Sequence, residues 1–93
     1  MPTLDTKIRV STNILTSQVD DEMVLLNLDS GKYFSLDDVG TRMWLLINEH
    51  GQLRAVQEAL LQEYQVDEQQ LEHDLLDLTD KLVANGLLQI VEP

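Results

Sequence analysis

Cysteine is absent from this 93-residue sequence, which excludes disulfide bonds, thiolate metal sites and cysteine nucleophiles. Basic residues are scarce: six Lys and Arg stand against seventeen Asp and Glu, giving a formal net charge of -11 at pH 7. A surface with such a negative electrostatic potential repels phosphate backbones and anionic lipids, and it attracts basic or neutral ligands. Nucleic acids and membranes are therefore not expected as partners.

Long apolar runs are also missing, and no stretch approaches the ~20 residues that a membrane-spanning helix needs. Residues 1–5 lack the basic region and the apolar run of a secretion signal. Together with the lack of cysteine, which suits a reducing compartment, this leads us to expect a cytoplasmic protein. The length suits one domain over residues 1–93 with one hydrophobic core.

The first third of the sequence predicts strands. Residues 7–10 alternate polar and apolar side chains, as a half-buried strand does, and residues 13–19 predict a second extended piece. Two further runs, residues 23–28 and 32–36, flank a turn in which Gly31 can adopt the positive φ of a short hairpin loop. These two runs are predicted to form an antiparallel hairpin.

Side chains alternate between the two faces of a strand, so the second run of the hairpin has two faces. Phe34 and Leu36 are predicted to point one way, toward the core, and Tyr33 and Ser35 are predicted to point the other way.

Apolar residues recur at helical spacing in the rest of the sequence. Asp37 stands at the N-cap position of a first helix, and Gly51 marks its end. Residues 53–64 place their apolar side chains on one face of a second helix. Asp67, with Gln70 three residues later, forms a variant of the capping box that begins a third helix.

The third helix is predicted to end before Gly86, and residues 87–91 predict a last short strand. One stripe of this helix consists of leucines, and Leu76 and Val83 lie roughly 120–140° around the axis from that stripe. The leucines are Leu71, Leu75, Leu78 and Leu82. This apolar arc is wider than packing on one side requires. Part of it lines a groove or meets a partner, or else the helix is wrapped by the earlier helices and the tail.

A small sheet followed by three helices is an α+β arrangement with the outline of a winged helix-turn-helix. Such folds set their third helix in the major groove of DNA beside basic contacts to phosphate. Here that helix carries a single lysine, Lys81, against six carboxylates, which are Asp67, Glu68, Glu72, Asp74, Asp77 and Asp80. DNA reading is therefore excluded, and an acidic regulator that acts through protein contacts remains an alternative.

Catalytic and metal-binding patterns are weak. His50 and His73 have no third nitrogen or sulfur ligand at zinc spacing, and the four glycines form no phosphate-binding loop. None of the serines stands in the strained turn of a hydrolase nucleophile. We assign no catalytic residue, no metal and no cofactor, and we expect a binding protein rather than an enzyme.

The hairpin and the following helix carry a more specific pattern. Residues 28–44 read L-x-S-G-x-Y-F-x-L-x-x-V-G-x-x-x-W, a Tyr-x-Val-Asp junction occupies residues 64–67, and Asn-Gly-Leu-Leu occupies residues 85–88. With these motifs, the sequence resembles the PqqD-like proteins over about residues 7–91. The resemblance implies a three-stranded antiparallel sheet packed on three helices.

The same resemblance implies a function. PqqD-like proteins are recognition elements for ribosomally made precursor peptides, and the leader segment of the precursor adds as a strand beside the third strand, in a groove walled by the third helix. Members most similar to residues 31–36 serve lasso peptide pathways, where they deliver the leader to a leader peptidase. Others present precursors to radical SAM enzymes, so both subfamilies remain open.

Placed on this sequence, the resemblance predicts the peptide-binding residues. The third strand supplies Lys32, Tyr33, Phe34, Ser35 and Leu36, and the third helix supplies Asp67, Leu71, Asp74, Leu75 and Leu78. The two aspartates are expected to pair with a basic leader residue, and the leucines are expected either to anchor the leader or to belong to the core. A weak homodimer through the same strand edge is a further possibility.

Overall fold

The computed structural model describes residues 2–91. Within this range, five strands and three helices follow one another along the chain. They are β1 (Lys7–Val10), β2 (Ile14–Val19), β3 (Glu22–Asn27), β4 (Tyr33–Leu36), α1 (Asp38–His50), α2 (Leu53–Glu63), α3 (Glu68–Ala84) and β5 (Leu88–Val91). The predicted α+β class is confirmed.

The strands form two antiparallel sheets. The larger sheet has the order β2-β3-β4, so the extended piece predicted at residues 13–19 is its first strand. In the smaller sheet, β1 pairs with β5, and Ile8 lies opposite Ile90. The three-stranded sheet and the three helices predicted for the fold are therefore confirmed. The smaller sheet pairs the last strand of the chain with the first.

The larger sheet turns one face to the helices. Because directly paired residues point to the same side of a sheet, the register assigns Leu25 and Phe34 to one face, together with Met23 and Leu36. Met23, Leu25 and Leu36 are buried in the core. The predicted alternation of β4 is confirmed, since Tyr33 is exposed on the opposite face.

Side-chain caps begin the first and third helices where the sequence predicts. The carboxylate of Asp37 accepts a hydrogen bond from Gly40 N at 2.8 Å, and that of Asp67 accepts one from Gln70 N at 3.0 Å. The side chain of Gln70 donates to the Asp74 carboxylate at 2.9 Å. In the capping box, one of the two reciprocal bonds is therefore observed.

The apolar arc of α3 is divided between the core and half-buried positions. Leu75, Thr79 and Leu82 have no exposed surface, and the Thr79 hydroxyl donates to Leu75 O at 2.8 Å. Leu76 and Val83 are half-buried and pack against the core cluster. Most of the width of the arc is therefore explained by packing around the helix, the second of the two interpretations that the sequence allowed. None of the helices within residues 2–91 combines the length and apolarity needed to cross a bilayer.

Candidate functional site

Strand β4 lies at an edge of the larger sheet, where it pairs with β3 and with no other described strand. Asn27 N donates to Lys32 O at 2.8 Å, which fixes the phase of the hydrogen-bonding pattern between the two strands. Successive residues of an antiparallel strand turn their backbone groups alternately toward and away from the partner. The N–H and C=O groups of Tyr33 and Ser35 therefore face outward from the sheet, where a further strand can bind them.

The side chains of β4 follow the same alternation. Tyr33 is 73% exposed and Ser35 is exposed, whereas Phe34 is half-buried and Leu36 is buried. Lys32, which was predicted to begin the strand, lies in the hairpin loop, and its N–H donates a hydrogen bond to the Ser30 hydroxyl oxygen at 3.2 Å. The predicted strand is thus shorter by one residue, and its outer edge consists of two outward-facing residues.

An apolar pocket of about 200 Å³ has Val39 in its wall, three residues after the last residue of β4. Its walls come from the start of α1, the junction between α2 and α3, and the first turns of α3. They are Val39, Met43, Tyr64, Val66, Gln70, Leu71 and Asp74. Val66 is 50% exposed and Val39 is 37% exposed, although both are apolar. Apolar side chains gathered at the surface around a concavity are typical of a binding site.

Two predicted acidic residues lie on the pocket side of α3. Asp74 lines the pocket, and Asp67 stands at the N-cap of the helix. Both carboxylates are exposed. Asp67 accepts a hydrogen bond from the backbone N–H of Gln70, and Asp74 accepts one from the Gln70 side chain. A carboxylate has about four lone-pair sites, so each group retains acceptors for a basic side chain.

The three predicted leucines of α3 have different positions. Leu71 is 6% exposed and contributes to the wall of the pocket, and half-buried Leu78 follows Asp74 by one turn of the helix. Leu75 is 0% exposed and belongs to the core. Of the two roles that the sequence left open for the leucines, the burial of Leu75 favours the core, which also includes Leu71 and Leu82 on the same side of the helix.

Sequence reasoning missed several residues of the pocket, namely Val39, Met43, Tyr64, Val66 and Gln70. Most of these positions fit a buried helical face equally well, so periodicity alone does not single them out. Val66 is different because it stands in the short junction between two helices, where an apolar side chain has no helical face to join. An apolar residue in this junction is the feature of the sequence from which the pocket could have been predicted.

An ion pair links α1 to the C-terminal end of α2 beside the pocket. Arg42 donates two hydrogen bonds to the carboxylate of Glu63, each at 2.7 Å. These bonds lower the pKa of Glu63 below its ordinary value and raise that of Arg42. Glu63 is the last residue of α2, and the next residue, Tyr64, lines the pocket. The ion pair therefore ties the tyrosine side of the pocket to α1.

Residues 2–91 contain no group of three or more His, Asp or Glu side chains that could hold a metal ion. The outward-facing edge of β4 and the neighbouring apolar pocket can instead do two things. The edge can hydrogen-bond an extended chain, and the pocket can take one of its apolar side chains.

Comparisons with known proteins show the same overall fold in two solved structures. The structure of TbiB1 in complex with the TbiA(beta) leader peptide matches with a TM-score of 0.83 and 36% identity, covering 91% of this chain and 99% of that one. A lasso peptide synthetase B1 complexed with the leader peptide matches with a TM-score of 0.79 and 29% identity, over 89% and 98% of the two chains. No curated protein sequence matches significantly.

The family described as coenzyme PQQ synthesis protein D (PqqD) matches residues 22–88. This range begins with the central strand of the larger sheet and ends in β5, so it includes β4, the pocket and all three helices. The chain therefore belongs to the PqqD family.

Proposed function

We propose that this chain recognises the leader segment of a ribosomally made precursor peptide, which binds as an additional strand along β4. The observation that carries the proposal is the outward-facing backbone of Tyr33 and Ser35 beside an apolar pocket. The two similar structures support it, because each contains a leader peptide. Their lasso peptide context favours the same kind of pathway for this chain.

Backbone hydrogen bonds supply part of the binding free energy. Tyr33 and Ser35 offer two N–H donors and two C=O acceptors, and each bond contributes about 0.5–1.5 kcal/mol. Ordering a disordered peptide costs about 2–5 kcal/mol, so these bonds alone leave little net affinity. An apolar anchor is therefore required, and the pocket at the Leu36 end of the strand provides the place for it.

The pocket and its acidic rim define the chemistry of the leader. Its volume of about 200 Å³ suits one large apolar side chain, which would contact Val66 and Leu71. Asp67 and Asp74 favour a basic residue near this anchor, since a nearby carboxylate stabilises a positive charge. Leu78 extends the wall along α3, and Leu75 supports Leu71 from within the core.

This chain has no catalytic role in the proposal. As one domain over residues 1–93, it holds the leader and presents the precursor to a leader peptidase in lasso peptide biosynthesis. A PqqD-type role, in which the precursor is presented to a radical SAM enzyme, uses the same edge and pocket. The two roles differ in which enzyme binds the complex of this chain with the leader.

Titration of a labelled leader tests the proposal. Fluorescence anisotropy of the leader from the precursor gene neighbouring this chain's gene is expected to saturate, and a scrambled leader of identical composition is expected not to bind. A leader that binds no more tightly than its scrambled version would contradict the proposal. Copurification of the ternary complex with the peptidase, or with the radical SAM enzyme, separates the two roles.

A further inference from the structure

A second cavity meets the apolar pocket at Tyr64, and we call it the second pocket. It has a volume of about 300 Å³. Its lining includes Asp21, from the turn between β2 and β3, four residues of α1, namely Asp38, Thr41, Arg42 and Leu45, and Tyr64. Tyr64 also lines the apolar pocket. Because the two cavities share this residue, a peptide held in one of them can continue into the other.

The first half of α1 divides its side chains between the two pockets. At 100° per residue, Asp38 and Leu45 lie roughly 20° apart around the helix axis, whereas Val39 and Met43 lie roughly 100–140° from Asp38. Asp38 and Leu45 line the second pocket, and Val39 and Met43 line the apolar pocket. The two pockets therefore occupy adjoining faces of one helix.

The lining of the second pocket combines apolar surface with carboxylates. Leu45 is 38% exposed although it is apolar, and half-buried Tyr64 lines the same cavity. Asp21 and Asp38 are exposed. Lys and Arg side chains lay their methylene stems on apolar surface and keep the charged head near polar groups, and a tyrosine ring also attracts a cation. A long basic side chain fits this combination.

The charge balance of the second pocket also favours a base. Arg42 lines the cavity, but it donates two hydrogen bonds at 2.7 Å to Glu63, so its charge is already paired. Asp38 Oδ1 accepts a hydrogen bond from Val39 N at 2.9 Å, and the carboxylate retains further acceptor sites. Asp21 and Asp38 therefore leave the second pocket with a net negative charge, which repels an acidic side chain.

We propose that the second pocket binds a Lys or Arg side chain of the leader close to the apolar anchor, a proposal that rests on the proposed function. An extended chain advances about 3.3 Å per residue, so a base within about four residues of the anchor can reach a cavity that shares the wall of the apolar pocket. This base differs from the one expected beside Asp67 and Asp74, since neither of those residues lines the second pocket.

This arrangement makes the spacing of two leader residues a determinant of specificity. The edge of β4 binds backbone groups, which every sequence has, so it does not distinguish one leader from another. The apolar pocket selects a large apolar side chain, and the second pocket selects a base at a set distance from it. A peptide with the same composition but a different spacing can satisfy one pocket and not both.

A double-mutant cycle tests the proposal, with the labelled leader encoded beside this chain's gene as the probe and fluorescence anisotropy as the measurement. Asp38→Asn is expected to weaken leader binding about threefold, as an exposed ion pair does, and Asp38→Asn combined with Asp21→Asn about tenfold. Asp80→Asn removes the same charge from an exposed position of α3 outside both pockets, and it is expected to change the affinity less than about twofold.

The second half of the cycle changes the leader. Each Lys and Arg of the leader is replaced singly by Gln, and one of these peptides is expected to bind the wild type about threefold more weakly and to bind Asp38→Asn as the unchanged leader does. Effects of Asp38→Asn that are the same for every peptide overturn the proposal. Coupling of the leader bases to Asp74→Asn alone, or a leader without Lys and Arg, also overturns it.

Folding and strand addition are checked separately. Asp38→Asn keeps a side-chain oxygen that can accept from Val39 N, and Asp21→Asn changes a turn residue, so each variant is an independent test of the second pocket. Circular dichroism of both variants is expected to match the wild type. Leader binding that protects the N–H groups of Tyr33 and Ser35 but shows no coupling overturns this proposal alone. Failure of the wild-type chain to bind any leader overturns the proposed function as well.

Discussion

Asn27 hydrogen-bonds to Gly86, 59 residues away in the sequence: its side-chain Nδ2 donates to Gly86 O at 3.2 Å. Its Oδ1 accepts hydrogen bonds from the N–H groups of Asp29 at 2.9 Å and Ser30 at 3.3 Å. A single amide therefore closes the loop between β3 and β4 and fastens it to the turn after α3. The position of the β4 edge relative to α3 depends on this residue.

Replacing Asn27 should destabilise the fold. Asn27 is 9% exposed, so Asn27→Ala leaves two loop N–H groups and one carbonyl in a partly buried site without their partner. We expect a loss of about 1–3 kcal/mol in the free energy of unfolding, measured by urea denaturation. Asn48→Ala, at an exposed position of α1, should stay within about 0.5 kcal/mol of the wild type. Equal effects of the two substitutions would refute the role of Asn27.

Gly86 and Gly31 form a matched pair of glycines. Both have a φ of +74°, but a Cβ at Gly86 would lie 2.9 Å from Asn27 Nδ2, whereas a Cβ at Gly31 meets nothing within 4 Å. Alanine at Gly31 should cost about 1–2 kcal/mol for the left-handed backbone, and alanine at Gly86 should cost more. In the Asn27→Ala background the excess cost at Gly86 should disappear. Its persistence there would show that Asn27 is not its cause.

The Arg42–Glu63 ion pair predicts a pH-dependent contribution to stability. Hydrogen bonds from Arg42 lower the pKa of Glu63 in the folded chain, so the contribution is present above the unfolded pKa of about 4.3 and is lost as the pH falls through the folded pKa. The stability gap between the wild type and Glu63→Gln should therefore narrow as the pH is lowered from about 6 to about 3.

Urea denaturation across this pH range measures the gap. Glu58→Gln is the control, because it removes the same charge from an exposed position of the same helix. The pH dependence that is specific to Glu63 is the difference between the two variants. A Glu63→Gln gap that stays constant, or widens in acid, would contradict the assigned ion pair.

The pocket is best tested at Val66. This residue is 50% exposed in the junction before α3, so Val66→Asp should change the free energy of unfolding by no more than about 0.5 kcal/mol. A charge in the wall of an apolar pocket should weaken leader binding at least about tenfold, because the anchor side chain then desolvates a carboxylate. Leu75→Asp is a poor test, because it places that charge in the core.

Leu28→Asp is the control for Val66→Asp. Leu28 is 56% exposed and follows β3, away from the pocket lining, so the substitution adds the same charge at a similar exposure. We expect its leader affinity to equal that of the wild type, measured by anisotropy. If both variants bind the leader as the wild type does, the pocket does not hold the anchor.

Local signals in the sequence predicted most of the fold. Gly31, Asp37 and Asp67 act on residues within a few positions, so their turn and caps could be read directly. The pairing of β1 with β5 joins strands from opposite ends of the chain, and no local pattern in the sequence indicates it. The structural role of Asn27 was not predicted, because it depends on a hydrogen bond to Gly86, 59 residues away in the sequence.

The candidate site was predicted less completely than the fold. The two-residue period of β4 showed which side chains face outward, and that prediction is confirmed for Tyr33 and Leu36. Helical periodicity placed Leu71 and Leu75 on one stripe, yet only Leu71 reaches the pocket. The difference depends on how α3 is rotated against α2, which is set by packing between helices rather than by spacing within one.

Residue-resolved amide hydrogen exchange, with and without the leader, tests strand addition to β4 most directly. The N–H groups of Phe34 and Leu36 face β3 and should be protected in both states. Those of Tyr33 and Ser35 face outward and should exchange rapidly in the free chain and become protected when the leader is bound. Saturating leader that leaves the exchange of Tyr33 and Ser35 unchanged would contradict the account.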